Sequence, residues 1–223
     1  MGDALKATGR SIFYSTEMGG AAFGPDICNS AREGSDISPS WERILYELDT
    51  GSNYADMAGP GFHNDFDMLE VGNGNLTPDE EEAHFALWCM MSSPLLAGNN
   101  LTAATPELIK ILTAKGPLSV NQDGLALQAR RCGNGTTPEG GLWEAYAKPL
   151  ADGATAALVV NRNASGSVNA TVAFAACNVS AKSTVVTDLW SGAALGSFTK
   201  EWSAEVKPHA HRLVKISPPV RDF

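Results

Sequence analysis

The segment Asp67-Met68-Leu69-Glu70-Val71, followed after a short turn by Thr77-Pro78-Asp79-Glu80, decides the fold class of the first half of the chain. The first stretch predicts a short strand. The second is a capping box with proline at the first helical position, and the apolar residues that continue to about Met91 predict a buried helix. A strand followed by a helix is the repeating unit of a parallel sheet with helices on its faces.

Further strand and helix signals extend this alternation in both directions. Only about three or four strand–helix units are present, and so few cannot close a barrel, so we expect the sheet to have an unpaired edge. The other elements are strands at residues 11–16 and 94–97, a helix opened by Ser38-Pro39 with Trp41, Ile44, Leu45 and Leu48 at helical spacing, and a helix opened by Thr105-Pro106-Glu107.

After about residue 129 the pattern changes to short β-type runs separated by Gly and Asn turns. Residues 168–174 alternate apolar with small or polar side chains, which is typical of a strand with one buried face. Regularly spaced runs of this kind predict an antiparallel β-sandwich. The sequence therefore predicts two domains, a partial barrel over 1–128 and a sandwich over 129–223. The remaining runs are residues 141–143, 156–160, 183–186 and 212–216.

The composition is that of a globular protein, with 43% hydrophobic and 18% charged residues among 223. The net charge of -9 argues against a nucleic acid partner, because proteins that bind a phosphate backbone usually have a basic face. No apolar run approaches the length of a membrane span, so we expect no membrane partner. The first ten residues lack an apolar core, and the chain as given is expected to carry no signal peptide.

Six asparagines stand in N-x-Ser/Thr sequons, an excess over chance that indicates passage through the secretory pathway. The alternative is that Asn, Ser and Thr co-occur because they share loops. A secreted glycoprotein would be the parent, and its destination would be the medium, the cell wall or a vacuolar or lysosomal compartment. The sequons begin at Asn75, Asn100, Asn134, Asn163, Asn169 and Asn178.

The four cysteines show neither CxxC nor His/Cys ligand spacing, which argues against a zinc site. Cys89 lies in an apolar run and is predicted to be a buried thiol. Cys132 and Cys177 are candidates for a disulfide, which the sequence leaves open.

Carboxylates at strand ends in the barrel half are the candidates for catalytic groups, because that is where such groups stand in barrel folds. The first is Glu17, and the second is Asp36, four residues after Arg32. From composition alone Glu17 could equally be a solvated loop residue, and Arg32 with Asp36 a surface ion pair of little consequence.

The third group is Asp65 and Asp67 with Glu70. It hints at calcium but lacks the loop spacing and the invariant glycine of a calcium loop, so we expect no metal. Asn64 and Asp65 are predicted to bond neighbouring loop backbone, and His63 is assigned no role.

The order of these segments resembles the family 27 glycoside hydrolases, the α-galactosidases and α-N-acetylgalactosaminidases. The resemblance runs nearly the whole length of the chain, and this string of motifs is specific to that family. The matching segments are Thr8-Gly9-Arg10-Ser11-Ile12, Tyr14-Ser15-Thr16-Glu17, residues 32–37, Ala58-Gly59-Pro60-Gly61, Asn64-Asp65, residues 67–73, Ser93-Pro94-Leu95-Leu96, Val120-Asn121-Gln122-Asp123 and Asp188-Leu189-Trp190.

The resemblance implies an α/β fold, the C-terminal half of a (β/α)8 TIM barrel followed by the sandwich. It implies that Asp36 is the general acid/base and that Arg32 and Glu17 bind the sugar, with Glu17 favouring galactose over N-acetylgalactosamine. The family nucleophile is an Asp at the end of the fourth strand, which would precede Met1. We therefore expect a retaining α-galactosidase that needs no cofactor, and a 223-residue chain that is inactive alone.

Several positions depart from the family pattern. Thr16 stands where the family has a cysteine that pairs with a cysteine near Cys28, and Ala31 and His63 replace family tryptophans. These changes fall on the rim of the sugar site. They keep three alternatives open: an α-N-acetylgalactosaminidase, a β-L-arabinopyranosidase, and an inactive sugar-binding chain. The expected partners are an α-galactoside substrate and a second copy of the chain in a homodimer.

Overall fold

The computed structural model describes residues 1–17, 24–136, 140–179 and 184–218. Helices and parallel strands alternate as far as Asn121, and antiparallel strands follow from Arg130. The helices are α1 Gly2–Lys6, α2 Trp41–Gly51, α3 Pro78–Met90, α4 Pro106–Leu112 and α5 Lys115–Asn121, with single 3-10 turns at Ser52–Tyr54 and Leu101–Ala103. The strands are β1 Ser15–Glu17, β2 Ser30–Arg32, β3 His63–Asp65, β4 Arg130–Thr136, β5 Leu142–Pro149, β6 Thr155–Asn161, β7 Val168–Ala173, β8 Thr184–Asp188, β9 Ala194–Phe198, β10 Glu201–Val206 and β11 His211–Ser217.

The barrel half contains a three-stranded parallel sheet in the order β1-β2-β3. Its first strand is shorter than the predicted 11–16, because the side chain of Asn29 accepts the Tyr14 amide at 3.0 Å and the ladder begins only at Ser15. The predicted strand over residues 67–71 is wrong: the strand lies earlier, at β3. Asp67 has a φ of 71°, which ends the extended backbone before that segment.

Residues 94–97 form a single bridge rather than the predicted strand. Leu69 and Ala97 make an isolated parallel bridge, in which the Leu69 amide donates to the Leu96 carbonyl at 2.8 Å. Among the described residues, parallel pairing outside β1-β2-β3 is thus limited to this bridge.

The helix α2 starts two residues later than predicted. Ser40, not Ser38, is the N-cap, and its hydroxyl accepts the Arg43 amide at 3.3 Å. The predicted apolar face is confirmed, because Trp41, Ile44 and Leu48 are buried.

The predicted capping box of α3 is confirmed. The Glu80 amide donates to the Thr77 hydroxyl, and the Thr77 amide donates to the Glu80 carboxylate at 2.7 Å. Every residue from Ala83 to Met90 is buried, which confirms the prediction of a helix that is buried on most sides.

The sandwich consists of a six-stranded sheet in the order β4-β5-β6-β11-β8-β9 and a two-stranded sheet of β7 and β10. The strand β6 is buried on both faces. Its side chains Ala156, Leu158 and Val160 join the core that contains α3, while Ala157 and Val159 join the core under β7 and β10. The large sheet is therefore the middle of three layers.

Cys132 in β4 and Cys177, just after β7, form a disulfide across 45 residues of sequence. This link settles the pairing that the sequence left open. Cys89 is buried in α3, as predicted.

An ion network at the contact between the two halves of the chain is centred on Glu144 of β5. The carboxylate of Glu144 is buried and accepts from Arg131 at 2.7 Å, Arg162 at 2.8 Å and the Tyr146 hydroxyl at 2.8 Å. Arg162 also makes a bidentate pair with Asp49 of α2, at 2.9 and 2.7 Å. The hydrogen bonds to Asp49 and the charge of Glu144 raise the pKa of Arg162 above its ordinary value, although burial acts to lower it.

Within the described residues, no helix has the length and apolarity of a membrane span.

Candidate active site

The three parallel strands end in register on the residues Glu17, Arg32 and Asp65. Glu17 of β1 pairs with Arg32 of β2, and Arg32 pairs with Asp65 of β3. Because the strands are parallel, their carboxyl ends meet at one edge of the sheet, which is where the loops that follow them converge. The sheet thus brings two of the three sequence-predicted site residues side by side.

The guanidinium of Arg32 lies at the centre of this edge and contacts three carboxylates. Its Nη2 donates to Asp36 Oδ1 at 2.8 Å and pairs with Glu17 Oε1, while its Nη1 donates to Asp67 Oδ2 at 2.7 Å. Burial of Arg32 acts to lower its pKa, but the bond to Asp36 and the charges of Asp67 and Glu17 outweigh it and raise that pKa above the ordinary value. All three predicted site residues, Glu17, Arg32 and Asp36, therefore belong to one cluster.

The peptide group between Asp36 and Ile37 is fixed on both sides. The Asp36 carbonyl accepts from Arg43 Nε of α2 at 2.8 Å, and the Ile37 amide donates to Asp67 Oδ2 at 2.9 Å. The Asp36 side chain itself is 88% exposed. A rigid backbone under an open carboxylate can direct that carboxylate to a ligand above the sheet edge.

Asp67 is a member of this cluster that sequence reasoning missed, since it was weighed only as a calcium ligand. Its Oδ2 binds both Arg32 and the Ile37 amide, and its carbonyl accepts from Trp88 Nε1 of α3 at 2.7 Å. Its amide donates to Asp65 Oδ1 at 2.9 Å, in a left-handed backbone conformation that Asp tolerates better than most residues. The sequence signal that could have found Asp67 is a carboxylate two residues after the end of a strand.

Glu70 lies apart from this cluster. Its side chain accepts from Asn73, and its amide donates to His84 Nε2 at 3.0 Å. Within the described ranges, no group of three or more His, Cys, Asp or Glu side chains could hold a metal ion.

Asn64 and Asp65 bond neighbouring backbone, as predicted. Asn64 Nδ2 donates to the Tyr54 carbonyl at 2.7 Å, and Asp65 accepts the Asp67 amide. Burial raises the pKa of Asp65 above its ordinary value. His63, at the start of β3, bonds the Ser92 carbonyl at 3.0 Å on the opposite end of the strand from the cluster.

Thr16 and Cys28 meet where the family pattern has a cysteine pair. The Thr16 hydroxyl lies 3.6 Å from Cys28 Sγ, and Cys28 also donates to the Gly24 carbonyl. The departure from the family pattern thus replaces a covalent link between β1 and the segment before β2 with a hydrogen bond.

Five of the six sequon asparagines are exposed, and Asn163 is half-buried. The Asn163 side chain accepts the Leu142 amide at 2.5 Å through its oxygen. The sequon that begins at Asn178 ends at Ser180, which lies outside the described residues. The exposed asparagines are Asn75, Asn100, Asn134, Asn169 and Asn178.

The comparisons with known proteins agree along the whole chain. A family model described as "Alpha galactosidase A" matches residues 1–123, and a second, described as "Alpha galactosidase C-terminal beta sandwich domain", matches residues 140–216. Alpha-galactosidase 2 of Arabidopsis thaliana is 35% identical over 222 residues, which are 97% of this chain and 54% of the relative. Alpha-galactosidase 3 of the same plant is 35% identical over 227 residues, 98% of this chain and 51% of the relative.

A solved structure shows the same fold over the full chain. The crystal structure of alpha-galactosidase I from Mortierella vinacea superposes with a TM-score of 0.87 at 26% identity, covering 100% of this chain and 62% of that one. The chain thus spans about half the length of the curated relatives it matches, 54% and 51% for the two Arabidopsis proteins. The predicted fold class, a partial (β/α)8 barrel followed by an antiparallel sandwich, is confirmed.

Proposed function

Because the chain belongs to the glycoside hydrolase family 27 α-galactosidases, we propose that it forms the C-terminal portion of an enzyme that releases terminal α-linked galactose with retained configuration. One observation carries the proposal: Arg32 holds Glu17 and Asp36 together at the carboxyl ends of adjacent parallel strands. That edge is where barrel enzymes bind substrate.

In the proposed mechanism Asp36 is the general acid/base. It protonates the leaving glycosidic oxygen as a carboxylate nucleophile attacks the anomeric carbon, and it then removes a proton from the water that releases galactose. Arg32 and Glu17 bind sugar hydroxyls as donor and acceptor, respectively. Asp67 fixes the backbone of the Asp36 loop through the Ile37 amide. No step uses a cofactor.

We propose that the nucleophile comes from a strand outside these 223 residues. The relatives that carry the activity in their names are about twice as long as the matched region, and that region takes in nearly all of this chain. The two carboxylates of a retaining site stand about 5–5.5 Å apart across the sugar. The 223-residue chain therefore supplies one of them, and we expect it to be inactive alone.

The coding sequence upstream of Met1 gives the first test. A strand there that contains Lys-Tyr/Phe-Asp would supply the proposed Asp nucleophile, and that strand together with an encoded signal peptide would support the proposal. The second test is a chimera, in which the barrel strands of Arabidopsis alpha-galactosidase 2 that precede the matched region are fused to Met1. We expect the chimera to hydrolyse nitrophenyl α-galactoside and to lose about 10²- to 10⁴-fold in kcat on Asp36→Asn.

Asp26→Asn is the matched control, because Asp26 is an exposed carboxylate shortly before β2. A chimera that turns over and is equally insensitive to both substitutions would overturn the role of Asp36. Turnover by the 223-residue chain that is lost on Asp36→Asn would overturn the external nucleophile. Nitrophenyl α-N-acetylgalactosaminide and β-L-arabinopyranoside in the same assay test the two related activities.

The division of the chain near residue 128 is also part of the proposal, supported by the start of β4 at Arg130. Secretion and glycosylation of the parent protein are supported by five exposed sequon asparagines. Treatment of the secreted protein with an N-glycosidase would reveal the glycosylation as a loss of mass. The homodimer remains a prediction, which analytical ultracentrifugation would test.

A further inference from the structure

A buried carboxylate, Glu47 of α2, lies directly behind the loop that carries Asp36. Its side chain is 1% exposed, and within the described residues neither of its oxygens has a hydrogen-bond partner that meets the usual geometry. Its nearest cation is Arg43, one turn earlier on the helix, with Nη2 at 3.1 Å from Oε1. A buried carboxylate with so little compensation lowers the stability of the fold.

The loop is shaped to lie against this carboxylate. A Cβ atom placed on Gly34 would come within 1.5 Å of Glu47 Oε2. Any side chain at position 34 would therefore displace Glu47 or the loop. Gly34 is the residue midway between Arg32 and Asp36, so the backbone of the proposed sugar site rests on the Glu47 carboxyl group.

Arg43 connects Glu47 to Asp36. Its guanidinium faces Glu47 with Nη2, while its Nε donates to the Asp36 carbonyl at 2.8 Å and Nη2 also donates to the Ser35 hydroxyl. The planar guanidinium has a fixed fork of donors, so a shift of Arg43 toward or away from Glu47 also moves the donor that holds Asp36.

We propose that Glu47 is a positioning residue for Asp36, which acts through Arg43 and holds the Asp36 loop most firmly when its own carboxyl group is ionised. The proposal rests on the proposed function only in giving Asp36 its catalytic role. The charged groups that act on Glu47 are Arg43 on its own helix, Arg32 on β2, and Asp36 and Asp67 on the two loops. Burial raises the pKa of Glu47 to about 7 and outweighs the charge of Arg43, which lowers that pKa. The charge of Asp67 raises the pKa further.

The Glu47 side chain therefore passes from its neutral to its ionised form near pH 7. Above that pH the Glu47 carboxylate balances the charge of Arg43, and the guanidinium is held between the helix and the Asp36 carbonyl. Below it Arg43 loses its buried counter-charge and is held only by the Asp36 carbonyl and the Ser35 hydroxyl, both on exposed residues of the loop.

The test uses the 223-residue chain labelled with ¹⁵N, with the Arg43 Nε–H and Ile37 amide signals followed from pH 5 to pH 8.5. In the wild type we expect both signals to shift with a common midpoint near pH 7, together with slower exchange of the Arg43 Nε–H at high pH. In Glu47→Gln the transition disappears. Glu42→Gln, an exposed glutamate on the same helix, keeps it.

A second variant separates positioning from a general effect on the fold. In an Arg43→Met background, Glu47→Gln should leave the Ile37 signal unchanged, because the connecting side chain is gone. A transition near pH 7 that persists in Glu47→Gln, or an Ile37 response to Glu47→Gln without Arg43, would overturn the proposal. These readouts require no turnover, so they fail independently of the glycosidase assignment.

In the chimera described above, Glu47→Gln should lower kcat by about tenfold at pH 7.5 with KM unchanged, the effect of a displaced catalytic group rather than of lost binding. It should also flatten the limb of the pH–kcat profile near pH 7. A loss that appears in KM alone would contradict the positioning role.

Discussion

Replacing Glu144 with glutamine removes the one negative charge at the centre of the ion network between the two halves of the chain. The side chain keeps its size, so the packing of β5 against its neighbours is unchanged. The amide has one acceptor oxygen where the carboxylate received Arg131, Arg162 and the Tyr146 hydroxyl. The NH₂ group of the glutamine would then face one of these three donors instead of accepting from it.

The cost follows from which partners are left without an acceptor. The Arg131 side chain is 55% exposed and can turn to water, whereas that of Arg162 is 15% exposed and keeps only Asp49. Burial is the largest cause that raises the pKa of Tyr146, so its hydroxyl stays protonated and loses its acceptor. Breaking a buried ion pair typically costs 3–5 kcal/mol, and because Asp49 still balances Arg162 we expect about 3 kcal/mol.

Urea unfolding measured by tryptophan fluorescence tests this value, since the chain has five tryptophans. For a slope of about 2 kcal/mol per molar urea, the midpoint should fall by about 1.5 M with the slope unchanged. Glu205→Gln, an exposed glutamate on β10, is the matched control and should stay within about 0.3 M. If Glu144→Gln shifts the midpoint no more than the control does, the network is solvated and the reasoning fails.

Three further predictions concern the pH dependence of stability, the disulfide and a helix cap. The pKa of Glu47 in the folded chain is about 7, above its ordinary 4.5, so wild-type unfolding free energy should fall by up to about 3 kcal/mol as pH rises from 4.5 to 7.5. Glu47→Gln should abolish this part of the slope in urea titrations at each pH, and parallel profiles would contradict it. Replacing Cys132 and Cys177 with serine opens a 45-residue loop and should cost about 4 kcal/mol by the loop-entropy relation, measurable as a lower Tm in calorimetry. An unchanged Tm would show that the disulfide does not contribute to stability. Thr77→Ala should cost about 1 kcal/mol, because the first turn of α3 loses its cap, and Thr77→Ser should restore most of it in the same measurement.

The elements that the sequence predicted well are those specified by local chemistry. The capping box at Thr77 and the continuous apolar run of α3 need no distant partner to be recognised, and both are confirmed. The same holds for β7, in which Val168, Ala170 and Val172 are buried and Asn169 and Ala173 are exposed. The strand β10 shows a similar alternation, with Trp202 and Val206 buried, and could have been predicted.

The predictions that failed depended on contacts far along the chain. β4 and β9 are mostly exposed, and β4 consists largely of glycine and polar residues, so neither shows the alternation of a half-buried strand. The residues 67–71 have strand-like composition, but the left-handed conformation of Asp67 is held by Arg32 and Ile37, about thirty residues earlier. That long-range bond decides where the strand ends.

The candidate site shows the same division. Glu17, Arg32 and Asp36 could be named from motif order, and Glu17 also directly follows a strand that the sequence predicted. Glu47 could not, since on α2 it occupies a helical position whose burial depends on how the Asp36 loop folds back over Gly34.

The two-faced burial of β6 predicts how the chain tolerates variation. In a strand with one solvated face, substitutions are harmful at every second position, and a saturation screen would show that period. Along β6 adjacent positions lie in different cores, Leu158 against α3 and Val159 beneath the two-stranded sheet. Intolerance should therefore run without interruption through residues 156–160.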